Sequence, residues 1–221
     1  CLQGLLKYNI FMSLDILFIH PNASKKIYQG LSNDHSAIEP PIWAGMLANH
    51  CRNKNFEVKI LDCEVERLDY ISGAKEINNY NPRVACFVVY GQQPSASSQN
   101  MEGAVATSEE LKKLNPNIKV LFVGGHVSAL PKETLKIEKS IDIIALNEGV
   151  YAISNLLKVE DLNDDSYLKK VKGIGFRDQD GNIYINESEI IVPKKLLDVD
   201  LPGIAWDLLP SLEKYRTAGW H

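Results

Sequence analysis

Hydrophobic positions along the chain fall into short apolar runs that are separated by amphipathic stretches. Five runs have the length and the apolar character of buried strands. They lie at residues 14–20, 56–62, 84–90, 119–123 and 141–146. Between them, apolar residues recur every three to four positions, which predicts helices. Strands that alternate with helices indicate βαβ units, right-handed crossovers and a parallel sheet.

The pattern therefore predicts an α/β fold over residues 14–158, a Rossmann-like or flavodoxin-like doubly wound sheet of five parallel strands. Beyond residue 158 the alternation of strands and helices stops, and two short apolar runs flank Asp180-Gly181. An Asp-Gly pair in this setting predicts a β-hairpin. We expect residues 159–221 to form this hairpin and a linker extension. Residues 1–13 precede the first strand and are interpreted as a leader outside the fold.

Composition and charge narrow the class of function. Hydrophobic residues make up 45% of the chain and charged residues 24%, as in ordinary globular proteins. The net charge of -4 argues against a nucleic-acid partner, for which a basic surface is expected. No apolar run approaches the roughly 20 residues that a membrane-spanning helix needs, so no membrane span is predicted.

The cysteines lack the spacing of a metal site. The chain has four, at Cys1, Cys51, Cys63 and Cys86. Their flanking residues resemble strands and helices rather than metal-binding loops. We interpret them as buried free thiols in a reducing compartment, which predicts a cytoplasmic protein.

The main candidate for a ligand-binding site is the end of the fourth apolar run, at Gly124-Gly125. Open parallel sheets bind ligands outside the carboxyl ends of their strands. Two glycines at such an end allow a ligand to approach the backbone closely. No G-x-G-x-x-G follows the first strand and no G-x-x-x-x-G-K occurs, which argues against dinucleotide and P-loop sites. A free-standing flavodoxin-like module that binds a flavin or nucleotide, or a non-catalytic assembly domain, stays an alternative.

Several short motifs occur in a fixed order along the chain. They are Pro40-Pro41 before a helix with Gly45, Asn115-Pro116 before Val123-Gly124-Gly125-His126, Asn147-Glu148-Gly149, Gly173-Ile174-Gly175-Phe176-Arg177, and Trp206-Asp207-Leu208-Leu209-Pro210. In this order and spacing, from Leu14 to Pro210, the chain resembles the N-terminal cobalamin (vitamin B12)-binding domain of cobalamin-dependent radical S-adenosylmethionine enzymes.

The resemblance implies cobalamin as the cofactor, with its nucleotide tail beside the strand that ends in Gly124-Gly125. The residues expected to contact the corrinoid are Pro21, Asn22, Gln92, Gln93, Ser95, Ser97, Ser98, Gly124, Gly125, His126, Glu148 and Gly149. Many cobalamin domains carry D-x-H-x-x-G after the first strand, but here the loop begins His20-Pro21-Asn22. We therefore expect base-off cobalamin without a protein histidine on cobalt, and interpret His126 as a contact of the tail or as a purely structural residue.

The resemblance also implies a partner domain. Radical S-adenosylmethionine enzymes hold a 4Fe-4S cluster on C-x-x-x-C-x-x-C, and no such motif occurs in this sequence. The chain is therefore expected to be non-catalytic alone, with no catalytic or metal-ligating residue assigned. The cluster and S-adenosylmethionine would belong to a downstream radical SAM catalytic domain. The parent would be a methyltransferase or an enzyme of another radical reaction, and the substrate is not indicated.

Overall fold

The computed structural model describes residues 14–22, 37–90 and 94–216, with the side chains of 94–99 excepted. One sheet of seven strands runs through it, in the order β2-β1-β3-β4-β5-β6-β7. The strands are β1 (Ile16–His20), β2 (Val58–Asp62), β3 (Val84–Val88), β4 (Lys119–Val123), β5 (Ile143–Ala145), β6 (Ile174–Arg177) and β7 (Ile183–Ile185). Strands β1 to β5 pair in parallel, which confirms the predicted five-stranded parallel sheet.

The predicted hairpin is also confirmed, and it continues the main sheet. Strand β6 pairs antiparallel with β5, and β7 pairs antiparallel with β6. Gly181 lies in the connecting turn with a φ of +86°, a left-handed conformation that favours glycine.

Helices cover both faces of the sheet, as a doubly wound fold requires. They are α1 (Ile42–Asn53), α2 (Tyr70–Tyr80), α3 (Pro94–Leu114), α4 (Gly125–Ala129), α5 (Pro131–Ile137), α6 (Val150–Leu157), α7 (Asp165–Leu168) and α8 (Leu197–Asp200), with 3-10 turns at Lys194–Leu196, Trp206–Leu208 and Leu212–Lys214. In the part of the chain that is described, none of these helices is both long and apolar enough to cross a membrane.

Two hydrophobic cores form because successive side chains of a strand point to opposite faces. In β1, Ile16 and Phe18 join the core beneath α1 and α6. Leu17 and Ile19 join the core beneath α2, α3, α4 and α5. All four side chains are fully buried, so the sheet is covered on both faces at β1.

The extension after β7 packs on helix α1. Val192, Ala205 and Leu209 belong to the same core as α1 and α6. The backbone N–H of Ala205 donates to the Gly45 carbonyl at 3.1 Å, and Arg52 pairs with Asp207 at 2.6 Å. Residues 192–209 therefore share a core with the α/β unit, while the predicted domain boundary at residue 158 stays a prediction.

A buried polar network fixes α8 between α1 and α6. The ring Nδ1–H of His50 donates to the Asp200 carbonyl at 2.7 Å. The Asp200 carboxylate accepts from the Tyr151 hydroxyl at 2.6 Å and from Lys54 at 3.0 Å. These hydrogen bonds lower the pKa of Asp200, whereas burial lowers the pKa of His50. The charged carboxylate and the neutral imidazole are both favoured by this arrangement.

Candidate functional site

The carboxyl ends of the parallel strands meet at one edge of the sheet, which we call the carboxyl edge. Strands β1 and β3 are neighbours there, although the chain leaves β1 towards β2 and leaves β3 towards β4. Such a reversal of strand order opens a crevice, and ligands of doubly wound folds bind in it. The polar and glycine-containing segments after β1, β3, β4 and β5 all begin at this edge.

The two glycines after β4 have different environments. Gly124 is buried, and its backbone is extended with φ 161° and ψ 175°. A Cβ atom on Gly124 would lie 2.5 Å from the carbonyl oxygen of Val89, closer than real Cβ contacts. Glycine is therefore required at position 124 by the chain after β3, whether or not a ligand is present. Gly125, by contrast, is exposed at the first position of α4.

The turn after β5 is held in a left-handed conformation. Asn147 has a φ of 53° and Gly149 a φ of 73°. A Cβ on Gly149 would lie 2.7 Å from the Val123 side chain, so this glycine also has a packing role. The Glu148 carboxylate accepts a hydrogen bond from the backbone N–H of Val192 at 3.2 Å. Glu148 therefore connects the carboxyl edge to the extension.

Two aromatic side chains outside the predicted site also lie at this edge. The rings of Trp43 and Tyr90 stack, with centroids 4.9 Å apart and an interplanar angle of 26°. The Tyr90 hydroxyl donates to the carbonyl oxygen of Asn147. Burial and the nearby charge of Glu148 raise the pKa of Tyr90 to about 12, so its hydroxyl stays protonated at neutral pH. In the sequence, Trp43 resembles one more apolar position of α1, and Tyr90 resembles the last residue of a strand.

The residues after β1 make contacts that support the fold. Pro21 is buried, and the Asn22 side-chain amide donates to the Leu68 carbonyl at 3.0 Å. His20 lies 3.3 Å from the Glu64 carboxylate. Burial alone would lower the pKa of His20, but Glu64 raises it overall. His20 is thus engaged by a carboxylate at the end of β1.

Buried Asp62 organises the end of β2. Its carboxylate accepts from the backbone N–H groups of Glu64 and Val65, at 3.1 and 3.2 Å. It also accepts from the Tyr215 hydroxyl at 3.0 Å. Asp62 therefore holds a turn and the segment that carries Tyr215.

Part of the predicted site lies outside what is described. Gln92 and Gln93 lie outside the described residues, and of Ser95, Ser97 and Ser98 only the helical backbone at the start of α3 is described. His126 is half-buried in α4. The described structure therefore brings Gly124, Gly125, His126, Glu148 and Gly149 to one edge, with Pro21 and Asn22 at the end of β1.

One polar atom near Gly125 is buried without a partner. The hydroxyl of Ser128, on helix α4, makes no hydrogen bond to any described residue and is inaccessible to water. A buried unsatisfied hydroxyl costs stability, so a bound group that supplies a partner gains from meeting it.

Three of the cysteines are described, and all three are buried free thiols, as predicted. Cys51, Cys63 and Cys86 lie in the two cores. Burial raises the pKa of Cys51 and Cys63 to about 12. These thiols are therefore protonated and contribute apolar packing.

The strand order and the reversal between β1 and β3 define a flavodoxin-like α/β domain, a fold that binds its ligands at the carboxyl edge. Residues 34–157 match the model of the B12 binding domain family. The match spans more than half of the chain and runs from before α1 to the end of α6. The chain therefore belongs to the B12-binding domain family, which confirms the resemblance found in its sequence and favours a corrinoid over a flavin.

Similar proteins are much longer than this chain. An uncharacterized methyltransferase of Pyrococcus horikoshii is 27% identical over 180 residues, which cover 81% of this chain and 36% of that protein. The cobalamin-dependent S-adenosylmethionine radical enzyme OxsB, solved with aqua-cobalamin and S-adenosylmethionine bound, has a TM-score of 0.59 at 15% identity, over 89% of this chain and 24% of OxsB.

A second solved structure gives the same result. The radical S-adenosylmethionine methyltransferase TsrM of Kitasatospora setae, solved with tryptophan and an S-adenosylmethionine analogue bound, has a TM-score of 0.55 at 16% identity. The match covers 76% of this chain and 29% of TsrM. At this identity the likeness establishes the fold. The chain spans about a quarter to a third of the length of these relatives.

Proposed function

We propose that this chain binds cobalamin at the carboxyl edge and serves as the cofactor-holding module of a larger radical S-adenosylmethionine enzyme, a methyltransferase. The observation that carries the proposal is the match of residues 34–157 to the B12 binding domain family. The methyltransferase name of the Pyrococcus horikoshii relative supports the reaction class. The 4Fe-4S cluster and S-adenosylmethionine would be held by the radical SAM domain of the same enzyme.

The described residues fit a large ligand at this edge. Gly125 is exposed and has no side chain, so a ligand can approach its backbone. The Ser128 hydroxyl is buried and makes no hydrogen bond to any described residue. His126 follows β4 and Glu148 follows β5, and both carry polar side chains. Ser95, Ser97, Ser98, Gln92 and Gln93 belong to the proposed contacts by position in the chain.

When bound, cobalamin supplies cobalt-centred group transfer, and the task of this chain is to bind and orient it. We propose the base-off form without a protein histidine on cobalt. This is supported by the absence of D-x-H-x-x-G and by the carboxylate contact that engages His20. A cofactor held at the carboxyl edge would then be accessible to the catalytic domain.

The binding proposal is tested by incubating the purified protein with hydroxocobalamin, desalting it and recording the visible spectrum. A retained corrin band is expected, and Gly125→Trp should remove it by filling the exposed position beside β4. Lys136→Trp, at an exposed position of α5, is the matched control and should retain the band. A wild-type protein that emerges colourless would refute the proposal.

The axial ligand is tested on the same sample after reduction to cob(II)alamin. Electron paramagnetic resonance shows superhyperfine splitting when a nitrogen is coordinated to cobalt. We expect a spectrum without this splitting. Splitting that is present in wild type and absent in His126→Ala would assign His126 as the cobalt ligand. That result would contradict the proposal that no protein histidine coordinates cobalt.

A further inference from the structure

The stacked pair of Trp43 and Tyr90 lies at the carboxyl edge, beside the point where strand order reverses. Trp43 is the second residue of α1, the helix that follows β1, and Tyr90 lies two residues after β3. Both side chains are half-buried, with one part packed on the core below and the other part accessible. The pair therefore stands where a doubly wound fold binds its ligand.

Two contacts fix the Tyr90 ring in place, and a third holds its backbone. It stacks on Trp43, its hydroxyl donates to the Asn147 carbonyl, and its own carbonyl accepts from the Asn100 side chain at 3.3 Å. Because Asn147 follows β5, the Tyr90 side chain connects the ends of β3 and β5 across the end of β4. A ring already held in this way loses little conformational entropy when a ligand packs against it.

Core packing alone accounts for only part of this arrangement. It explains the buried parts of the two rings, but it requires neither the hydroxyl contact with the Asn147 carbonyl nor the partial exposure of both side chains. A comparable stack, Phe176 with Tyr184, lies in the antiparallel strands at the far end of the sheet, with centroids 5.4 Å apart. That second pair offers a control with the same chemistry away from the crevice.

We propose that Tyr90, supported by Trp43, is a positioning residue of the corrinoid site and presents a flat aromatic wall to the bound ligand. The inference rests on the proposed cobalamin binding. An aromatic face prefers conjugated or apolar flat surfaces, and cobalamin offers two of them, the corrin ring and the benzimidazole base of its nucleotide tail. Both surfaces share the chemistry that Tyr90 would recognise.

The proposal is tested by titrating hydroxocobalamin into wild type, Tyr90→Phe, Tyr90→Ala and the control Tyr184→Ala. Loss of one aromatic wall is expected to weaken binding on the order of tenfold in Tyr90→Ala, in line with the contribution of aromatic contacts. Tyr90→Phe keeps the ring and should therefore keep most of the wild-type affinity for hydroxocobalamin. Tyr184→Ala should bind like wild type. Dicyanocobinamide, which has no nucleotide tail, separates the two surfaces, because the Tyr90→Ala defect persists with it only if the corrin ring is the contact.

A second readout separates contact from a purely structural role. The visible circular dichroism of bound corrin depends on how the ring is held, and it should change in Tyr90→Ala at saturating ligand. If Tyr90→Ala does not fold, Tyr90→Leu takes its place, since it keeps apolar volume without the flat ring. Equal affinity and equal dichroism in all variants would overturn the inference while cobalamin binding stands. A wild type that binds no corrinoid would overturn the proposed function itself.

Discussion

Two helix glycines with opposite surroundings allow a direct test of how the extension packs. Gly45 lies in α1 beneath the extension, and Gly73 lies in α2 on the other face of the sheet. Alanine stabilises a helix interior relative to glycine by about 0.5–1 kcal/mol, chiefly through backbone entropy. Gly45→Ala and Gly73→Ala therefore share the same intrinsic gain, and any difference between them reports what the new methyl group meets.

The structure predicts a large difference. At Gly73 the nearest atoms to a new Cβ are Thr107 Cγ2 at 3.4 Å and Cys63 Sγ at 3.5 Å, which are ordinary contacts. At Gly45 the Cβ would lie 2.4 Å from Ile204 Cγ2, so Ile204 has to rotate or the extension has to move. Overpacking of this kind costs about 1–3 kcal/mol. Since the helix gain cancels, Gly45→Ala should be less stable than Gly73→Ala by about 1–3 kcal/mol.

Urea or thermal denaturation measures this difference directly. For a chain of this size, 1 kcal/mol shifts the melting temperature by roughly 2–4 °C. Hydrogen exchange gives the local result, because the amide of Ala205 donates to the Gly45 carbonyl and should lose protection in Gly45→Ala only. If both variants gain stability equally and Ala205 stays protected, Ile204 makes room at no cost and the expected overpacking at Gly45 is refuted. If the Ala205 amide is unprotected in wild type as well, the extension does not pack on α1 in solution.

Two further predictions concern single polar groups. Ser128→Ala should raise the free energy of unfolding, because an unpartnered buried hydroxyl costs about 1–3 kcal/mol, and should weaken hydroxocobalamin binding. Thr134→Val removes another buried, unpartnered hydroxyl, in α5, and should raise the free energy of unfolding without changing hydroxocobalamin binding. Unchanged binding in both variants would contradict the role given to Ser128. Burial lowers the pKa of His20, but Glu64 and Asp62 raise it overall above 6.5. Its stabilising contribution is therefore full below about pH 6.5 and is lost as the pH rises through the folded-state pKa. Glu64→Gln should flatten that dependence in denaturation curves from about pH 6 to 9, and parallel curves would count against it.

Local chemistry was sufficient to predict the five parallel strands and most of the helices of the α/β unit. Helix α2, from Tyr70 to Tyr80, has a clear local signal at each end. The Asp69 carboxylate accepts from the Ser72 backbone N–H as an N-cap, and Asn81 adopts a left-handed conformation before Pro82. Both signals act within a few residues, so a sequence pattern can reveal them.

Long-range contacts could not be predicted in the same way. The Asp-Gly pair indicates a hairpin, but the place of that hairpin depends on pairing between Ile143 of β5 and Phe176 of β6. The stack of Trp43 on Tyr90 likewise joins residues that no local pattern connects. Helix α4, five residues long, was not predicted either, since it begins at a glycine and has too few positions for a helical period.

The two glycines after β4 have to be considered separately before either is used as evidence for a ligand. The sequence suggests one reason for both glycines, the approach of a cofactor. The structure provides Gly124 with another reason, because the Val89 carbonyl occupies the space of a side chain. Loss of cobalamin binding in a Gly124 variant would therefore report a displaced β3 end as readily as a blocked site. Gly125 is exposed at the start of α4, so a substitution there leaves the contact of Gly124 with Val89 in place and tests the ligand itself.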